Sequence, residues 1–218
     1  KIEEINRNGE HLLSLINQLL DLSKMESGKF DLNFTSGNLL NEVLAGISAF
    51  NSYAEQEKVT FTISTTEQAK STLENNDFSY SSEAIHAVIN NLLSNAIKFT
   101  PESGTVSATV DFENDVLTLK VSDSGPGIPE QHLEKIFDRF YQIEESYSNT
   151  QKGSGIGLTL VKEFTVLHQG DVRVENNPSG GCTFTAWFKC EKSPAKQSPV
   201  AIKKLDPIEA ISKDADEQ

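Results

Sequence analysis

The sequence is poor in cysteine, in positive charge and in long apolar runs, and each shortage excludes a class of protein. Its 218 residues include two cysteines, and neither Cys182 nor Cys190 belongs to a Cys/His metal-binding pattern. We therefore expect free thiols in a reducing cytosol. No apolar run approaches the roughly 20 residues that span a bilayer, and no signal peptide is visible. The net charge of −13 argues against nucleic acid or an anionic membrane as a partner, since both attract basic patches.

The apolar pattern predicts a helical segment at the start of the chain. In residues 1–28 apolar side chains recur at seven-residue intervals, as in Ile5, Leu12 and Leu19, and Gly28 supplies a stop. This pattern is typical of the seam of a coiled coil or helical bundle, so we expect a partner to cover it. The alternative is that the helix packs on its own domain. Because the chain starts within this helix, without Met or a cap, we interpret it as a piece of a longer protein.

Residues 32–190 predict one α+β domain, and residues 191–218 a linker or disordered tail. The tail is rich in proline and has little apolar periodicity. In the domain, helices alternate with hairpins, which indicates a two-layer α/β sandwich with a mixed sheet and helices on one face. The predicted helices are 39–57, 82–99, 130–137 and 156–168, and the predicted strands are 59–65, 105–112, 116–122, 172–176 and 183–190.

Three polar side chains share one face of the helix predicted at 82–99. Asn91, Asn95 and Lys98 stand at i, i+4 and i+7, within the block Asn-Leu-Leu-Ser-Asn-Ala-Ile-Lys-Phe-Thr. Two amides and an ammonium suit a hydrated Mg²⁺ and phosphates, because Mg²⁺ prefers oxygen ligands and keeps several waters. A plain solvated face is the alternative, but it does not explain two asparagines, which are poor helix formers.

The second block is Asp123-Ser124-Gly125-Pro126-Gly127-Ile128, which follows a predicted strand. A carboxylate only accepts hydrogen bonds, so Asp123 would favour the exocyclic amine of adenine over the carbonyl of guanine. Gly125 and Gly127 would let the backbone approach the base. Read alone, the block is equally good turn chemistry.

The third and fourth blocks are Phe137-Asp138-Arg139-Phe140 and Gly153-Ser154-Gly155-Ile156-Gly157-Leu158. The polar segment 141–152 lies between them, and the glycines open the next helix. Since amides at a helix N-terminus bind anions, we expect a lid that closes over phosphates, its stem anchored by packing of Phe137 and Phe140. An ordinary surface loop is the alternative. The glycines match neither a P-loop nor a dinucleotide fingerprint.

In this order and spacing, the blocks resemble the N, G1, F and G2 boxes of the GHKL ATP-binding domain of sensor histidine kinases. Residues 12–24 resemble the second helix of the dimerisation domain in the same two-component kinases. The resemblance implies a Bergerat-type sandwich that binds ATP and Mg²⁺ and transfers the γ-phosphoryl group to a histidine. It also implies a homodimer through the N-terminal helix and signalling to a response regulator. This part of the protein would be cytoplasmic, and by analogy the whole would be a membrane sensor.

The resemblance also implies roles for individual residues. Asn95 would ligate Mg²⁺, and Asn91, Lys98 and Arg139 would join it in catalysis. The residues expected to contact the nucleotide are Asp123, Gly125, Gly127, Ile128, Phe140, Tyr141, Lys152, Gly153, Gly155, Ile156, Gly157, Leu158 and Thr183.

The chain departs from this family pattern in three places. None of its histidines (His11, His86, His132 and His168) has the phosphoacceptor context, so we expect the acceptor in a segment absent here and a structural role for each of the four. Gln142 stands where many relatives carry an arginine that reaches the γ-phosphate, and Arg139 or Lys152 would have to substitute. The sequence Gly-Gly-Cys-Thr at 180–183 is an unusual form of the last glycine-rich hairpin. The proline-rich tail suits a link to a receiver domain, as in hybrid kinases.

Two other functions fit parts of the pattern. An ATPase of the chaperone, gyrase or mismatch-repair type would need a glutamate one helical turn before the metal-binding asparagine. Asn91 occupies that position and cannot take a proton from water. A nucleotide-sensing or catalytically dead scaffold that only dimerises and relays signals is the other alternative. Gln142 and the missing phosphoacceptor favour it, whereas the intact metal and adenine positions favour a kinase.

Overall fold

A five-stranded mixed sheet forms the frame of the domain. The structure is a computed structural model, and it describes residues 2–143 and 154–193. In spatial order the strands are β2 (Thr60–Thr65), β4 (Thr105–Glu113), β5 (Val116–Asp123), β7 (Cys182–Lys189) and β6 (Asp171–Asn176). β2 and β4 are parallel, and the other neighbours are antiparallel. Two short strands, β1 (Thr35–Gly37) and β3 (Phe78–Tyr80), pair separately.

Six helices accompany the strands in the described part of the chain. They are α1 (Ile2–Glu26), α2 (Leu39–Ser48), α3 (Asn51–Gln56), α4 (Glu67–Leu73), α5 (Ser82–Phe99) and α6 (Gly157–Leu167). Side-chain oxygens of Asn38, Thr66 and Ser81 cap α2, α4 and α5 by accepting a backbone N–H. Among the residues that the structure describes, no helix has the length and apolar character needed to cross a bilayer.

The core lies between the helices and one face of the sheet. Alternate residues of β4, such as Val106, Ala108 and Val110, are fully buried, and β5 repeats the pattern. Helix α5 buries eight side chains against this face and packs on α6. The predicted two-layer sandwich is confirmed, and α5 carries its polar stripe along the edge of the core.

Most predicted elements are present, but two predicted helices are wrong in part. The helix expected at 39–57 divides into α2 and α3. The Asn51 side-chain amide donates to the Ser48 carbonyl, and the Phe50 N–H bonds to Ile47 three residues back, which tightens the chain between the two helices. The helix expected at 130–137 is one 3₁₀ turn at Glu130–His132 followed by further turns. Residues 191–193 pair with the β3 segment, and the rest of the predicted tail lies outside the described residues.

Helix α1 packs on its own domain near its C-terminus and exposes an apolar stripe nearer its N-terminus. Leu22 is buried against the domain, and α1 contacts α6. Towards its N-terminus an outer stripe stays exposed: Leu12, Leu13, Ile16, Leu19 and Leu20 are each 47–61% accessible. The helix therefore packs on its own domain with one face and leaves the other uncovered.

His168 is buried beneath the start of α5, as a structural histidine would be. Its Nε2 accepts a hydrogen bond from the N–H of Ser81, the α5 cap, at 3.0 Å. The rings of Phe34 and Phe188 lie 5.1 and 5.5 Å from its own. Burial lowers the pKa of His168 from its ordinary value of 6.5, so the folded protein keeps the ring neutral.

We predict that His168 makes the domain less stable at mildly acidic pH. As the pH falls through 6.5, the unfolded chain binds a proton that the folded chain does not, so the free energy of unfolding falls. The loss is at most about 1.4 kcal/mol per pH unit from this group. Urea denaturation at pH 7.5 and 5.5 should show a smaller loss in His168→Gln than in the wild type. An equal loss in both proteins would contradict the prediction.

Candidate functional site

The four sequence blocks meet at one end of the sheet, around a cavity of about 570 Å³. Helix α5, the loop after β5, the start of α6 and the start of β7 form its walls. Its volume is within the range of small-molecule sites, roughly 300–1,000 Å³. The predicted site residues that line it are Asn91, Asn95, Lys98, Asp123, Gly127, Ile128, Phe140, Tyr141, Gly155, Gly157 and Leu158.

The remaining predicted site residues either fall outside the described residues or do not line the cavity. Lys152 and Gly153 fall within 144–153, outside the described residues. The Arg139 side chain is exposed and is not part of the cavity wall. Ile156 is buried at the start of α6, where its N–H bonds to the Ser154 hydroxyl at 3.2 Å.

Thr183 points away from the cavity, and its neighbour Cys182 takes the expected place. The Thr183 hydroxyl bonds to Ser122 and Asn177, at 2.9 and 2.7 Å, on the other face of the sheet. Because successive side chains of a strand alternate between faces, Cys182 and Phe184 line the cavity instead. The alternation of apolar residues in β7 could have shown this, since Phe184 and Cys182 share its buried face.

Asp123 ends β5 in a nearly buried position, held by several donors. Its Oδ1 accepts the N–H of Gly125 at 2.8 Å and the N–H of Cys182 at 3.4 Å. The Cys182 thiol lies 3.1 Å from Oδ2. Gly125 does not line the cavity, but a Cβ there would lie 2.8 Å from Oδ1 and 2.9 Å from the Phe99 carbonyl. The glycine is therefore required by close packing around the carboxylate.

The loop after Asp123 is fixed by one amide side chain. Asn176 in β6 accepts the N–H of Ile128 at 2.8 Å and donates to its carbonyl at 2.6 Å. We call this pair of hydrogen bonds the Asn176 clamp. Gly127, next to Ile128, adopts a left-handed φ of +75°. The clamp holds Ile128 at the cavity wall.

The polar stripe of α5 faces the cavity as predicted. The Asn91 amide nitrogen donates to the Ala87 carbonyl at 2.8 Å, and its oxygen faces Gly157, where a Cβ would lie 2.5 Å away. The Asn95 amide makes no hydrogen bond to any other residue in the described ranges. Burial lowers the pKa of Lys98, whose Nζ lies 5.1 Å from the centre of the Phe99 ring. Asn95 and Lys98 thus present polar groups to the cavity.

The stem of the expected lid is closed by a backbone hydrogen bond. The Phe140 N–H donates to the Gly155 carbonyl at 2.9 Å. Phe137 packs on Phe184 with ring centres 6.3 Å apart, as expected, but Phe140 is 60% exposed and so does not anchor the stem by packing. The Tyr141 hydroxyl beside it bonds to His132 Nδ1 at 2.6 Å. The two ends of segment 141–154 therefore meet at one point of the cavity.

Two residues of α1 also line the cavity. Leu15 and Gln18 complete its wall, although the sequence places them far from the four blocks. No local pattern distinguishes them from the other apolar and polar residues of the helix. Their position follows from the packing of α1 on the domain.

We predict that Gly155→Ala opens the lid stem. Both its φ of +72° and the contact of an added Cβ with the Phe140 backbone, at 2.7 Å, oppose the substitution. Gly28→Ala is the matched control, because Gly28 has a φ of +63° but open space around it. We expect faster amide exchange at Phe140 and about tenfold weaker ATP binding in Gly155→Ala alone, from loss of a net contribution of about 1–2 kcal/mol. Equal effects of the two substitutions would mean a general loss of stability and would contradict a local opening of the stem.

Comparison with known proteins agrees with this geometry. Residues 80–192 match the family model described as "Histidine kinase-, DNA gyrase B-, and HSP90-like ATPase". The matched range includes α5, the Asp123 loop, the lid stem and the last hairpin. All the described residues predicted to form the site fall within it.

Individual histidine kinases are similar to the chain in sequence or fold. "Hybrid signal transduction histidine kinase D" of Dictyostelium discoideum is 37% identical over 84% of this chain, which spans 12% of that relative's length. The structure of full-length ShkA with AMPPNP has a TM-score of 0.74 at 20% identity, covering 89% of this chain and 39% of ShkA. The nucleotide-free catalytic domain of ThkA has a TM-score of 0.60 at 26% identity, covering 75% of this chain and all of ThkA's domain. The chain therefore belongs to the histidine kinase-, DNA gyrase B- and HSP90-like ATPase family, as a sensor histidine kinase catalytic domain.

Proposed function

We propose that the cavity holds Mg-ATP and that the domain transfers its γ-phosphoryl group to a histidine of another segment of the kinase. The observation that carries the proposal is the convergence of Asp123, Asn95 and Lys98 on one cavity of about 570 Å³. The Asp123 carboxylate suits the adenine base, and the Asn95 amide, which makes no hydrogen bond within the described ranges, suits a metal ion. The half-buried Lys98 ammonium suits phosphates. The phosphohistidine would then supply a response regulator.

Asp123 would select adenine. Asp123 is 9% exposed and lines the cavity, so a base entering there would displace little water from it. The exocyclic amine of adenine can donate to the carboxylate, whereas guanine presents a carbonyl at that position and would be repelled.

Asn95 would ligate Mg²⁺ through its amide oxygen. The amide makes no hydrogen bond within the described ranges, so binding a metal would break no existing contact. The oxygen of Asn91 faces the start of α6 nearby, and Lys98 would meet a phosphate as a point charge. Mg²⁺ bound by one amide keeps several waters and takes its remaining ligands from phosphates.

The chemistry of the wall favours transfer to an external acceptor over hydrolysis. Among the described residues that line the cavity, Asp123 carries the only carboxylate, and it is engaged with Gly125 and Cys182. Asn91 cannot act as a general base towards water. Phosphoryl transfer depends mainly on positioning and charge stabilisation, which this site could supply to an acceptor brought from outside.

Three of the chain's own histidines are occupied by structural contacts. His86 Nε2 lies 2.9 Å from the Glu42 carboxylate, His132 bonds to Tyr141, and His168 is buried under α5. We therefore place the acceptor histidine in a dimerisation segment, which the exposed leucine stripe of α1 would help to pair in a homodimer. The similarity to a hybrid kinase supports a receiver domain as the next partner. An ATP-using domain with two free, buried cysteines suits the cytoplasm.

We predict that Asp123→Ala weakens ATP binding by about 10- to 100-fold, from loss of one charge-assisted hydrogen bond of roughly 1.5–3 kcal/mol. Calorimetry with ATP and GTP, with and without Mg²⁺, measures the effect. Asp171→Ala, which removes an exposed carboxylate in β6, is the matched control and should bind ATP normally. Unchanged ATP affinity in Asp123→Ala would remove this residue from the adenine role. No ATP binding by the wild type at millimolar concentration would favour a scaffold.

Phosphoryl transfer can be tested by supplying the missing histidine. The chain is incubated with γ-labelled ATP, Mg²⁺ and the histidine-bearing dimerisation domain of a relative. We expect label on the added domain, and transfer at least about tenfold slower with Asn95→Ala, since removal of even an outer-shell group of a metal site typically costs about 10- to 100-fold. Asn90→Ala is the control, since Asn90 is exposed on the same helix and does not line the cavity. Release of free phosphate without labelled protein would indicate an ATPase instead.

A further inference from the structure

We infer that Cys182 is a positioning residue for adenine selection: its thiol holds the Asp123 carboxylate so that one oxygen, Oδ2, faces the exocyclic amine. This inference rests on the proposed binding of adenine by Asp123. The family resemblance implies that Thr183 contacts the nucleotide, but the Thr183 side chain lies on the other face of the sheet.

Cys182 contacts the carboxylate with both of its donors. Its N–H lies 3.4 Å from Oδ1, and its thiol sulfur lies 3.1 Å from Oδ2. Cys182 is 6% exposed and lines the cavity at the first position of β7. The approach depends on Gly181, whose φ is +81° and where a Cβ would lie 2.0 Å from the Asp123 carbonyl. The hairpin can therefore bring Cys182 into contact with Asp123 only because residue 181 is a glycine. Any other residue there would force the backbone to move.

The acceptor positions of the Asp123 carboxylate decide which of its oxygens can accept the adenine amine. An ionised carboxylate offers about four lone-pair positions, two on each oxygen. Oδ1 already accepts two N–H groups, from Gly125 and Cys182. Oδ2 accepts one thiol, which leaves one position on that oxygen. The adenine amine needs one acceptor, so it and the Cys182 thiol would share Oδ2.

The thiol stays a donor under physiological conditions. Burial and the Asp123 carboxylate hold the pKa of Cys182 well above its ordinary value, so the sulfur keeps its proton. A protonated thiol also lacks the reactivity of a thiolate, which argues for positioning over covalent chemistry. A serine hydroxyl could donate in the same direction, whereas alanine could not.

A paired comparison of nucleotides isolates this contact. Purine riboside triphosphate carries hydrogen in place of the adenine amine, so it cannot donate to Oδ2. Calorimetry measures its dissociation constant and that of ATP for the wild type, Cys182→Ala and Cys182→Ser. Cys190→Ala is the matched control, because Cys190 is fully buried but lies outside the cavity wall, where its N–H bonds to the Asp115 carbonyl. Thermal unfolding checks that each variant is folded.

We expect Cys182→Ala to weaken ATP binding by about 2- to 10-fold, as for loss of one modest hydrogen bond. It should leave purine riboside triphosphate binding unchanged. Cys182→Ser should restore ATP affinity, and Cys190→Ala should match the wild type. An equal loss for both nucleotides would overturn the inference and leave Cys182 a packing role, as would unchanged ATP affinity in Cys182→Ala. If the wild type failed to prefer ATP over purine riboside triphosphate, the adenine role of Asp123 would itself be wrong.

Discussion

The site depends on how closely the end of β5 approaches the start of β7. Backbone pairing of Ser122 with Thr183 aligns the two strands, and Gly181 then passes against the Asp123 carbonyl without a Cβ. This contact places the Asp123 carboxylate in the cavity wall and surrounds it with hydrogen-bond donors, the Gly125 N–H and the Cys182 thiol. An ionised group can be nearly buried only when it is hydrogen-bonded in this way. The β7 hairpin therefore supplies what makes Asp123 usable as a recognition group.

The other walls of the cavity are fixed by a few short-range hydrogen bonds. The Asn176 clamp fixes the loop at Ile128, and one backbone hydrogen bond between Phe140 and Gly155 joins the two ends of the lid segment. Neither depends on segment 144–153. The cavity thus has a base formed by the sheet and α5, and the described chain on either side of residues 144–153 is joined at a single closed stem.

Sequence patterns predicted the elements that bury a periodic face. Helix α5 has the predicted bounds, and the strands of the main sheet agree to within one residue, because a buried face imposes a strict period on apolar residues. The three-residue strands β1 and β3 lack such a period and were missed. Asp123 and the α5 stripe, both predicted as site residues, line one cavity, whereas Thr183 does not, since a shift of one residue reverses the face of a strand. The placement of Leu15 and Gln18 arises from tertiary packing, which local sequence does not encode.

Helix α1 presents different residues to two sides of its axis. Leu15 and Gln18 face the cavity, while Leu12 and Leu19 belong to the exposed outer stripe. Neighbouring residues of an α-helix are about 100° apart around the axis. A rotation by one residue would therefore carry Gln18 out of the cavity wall and turn the outer leucines by the same angle. The composition of the cavity wall and the direction of the exposed stripe are thus set together, by the packing of one helix.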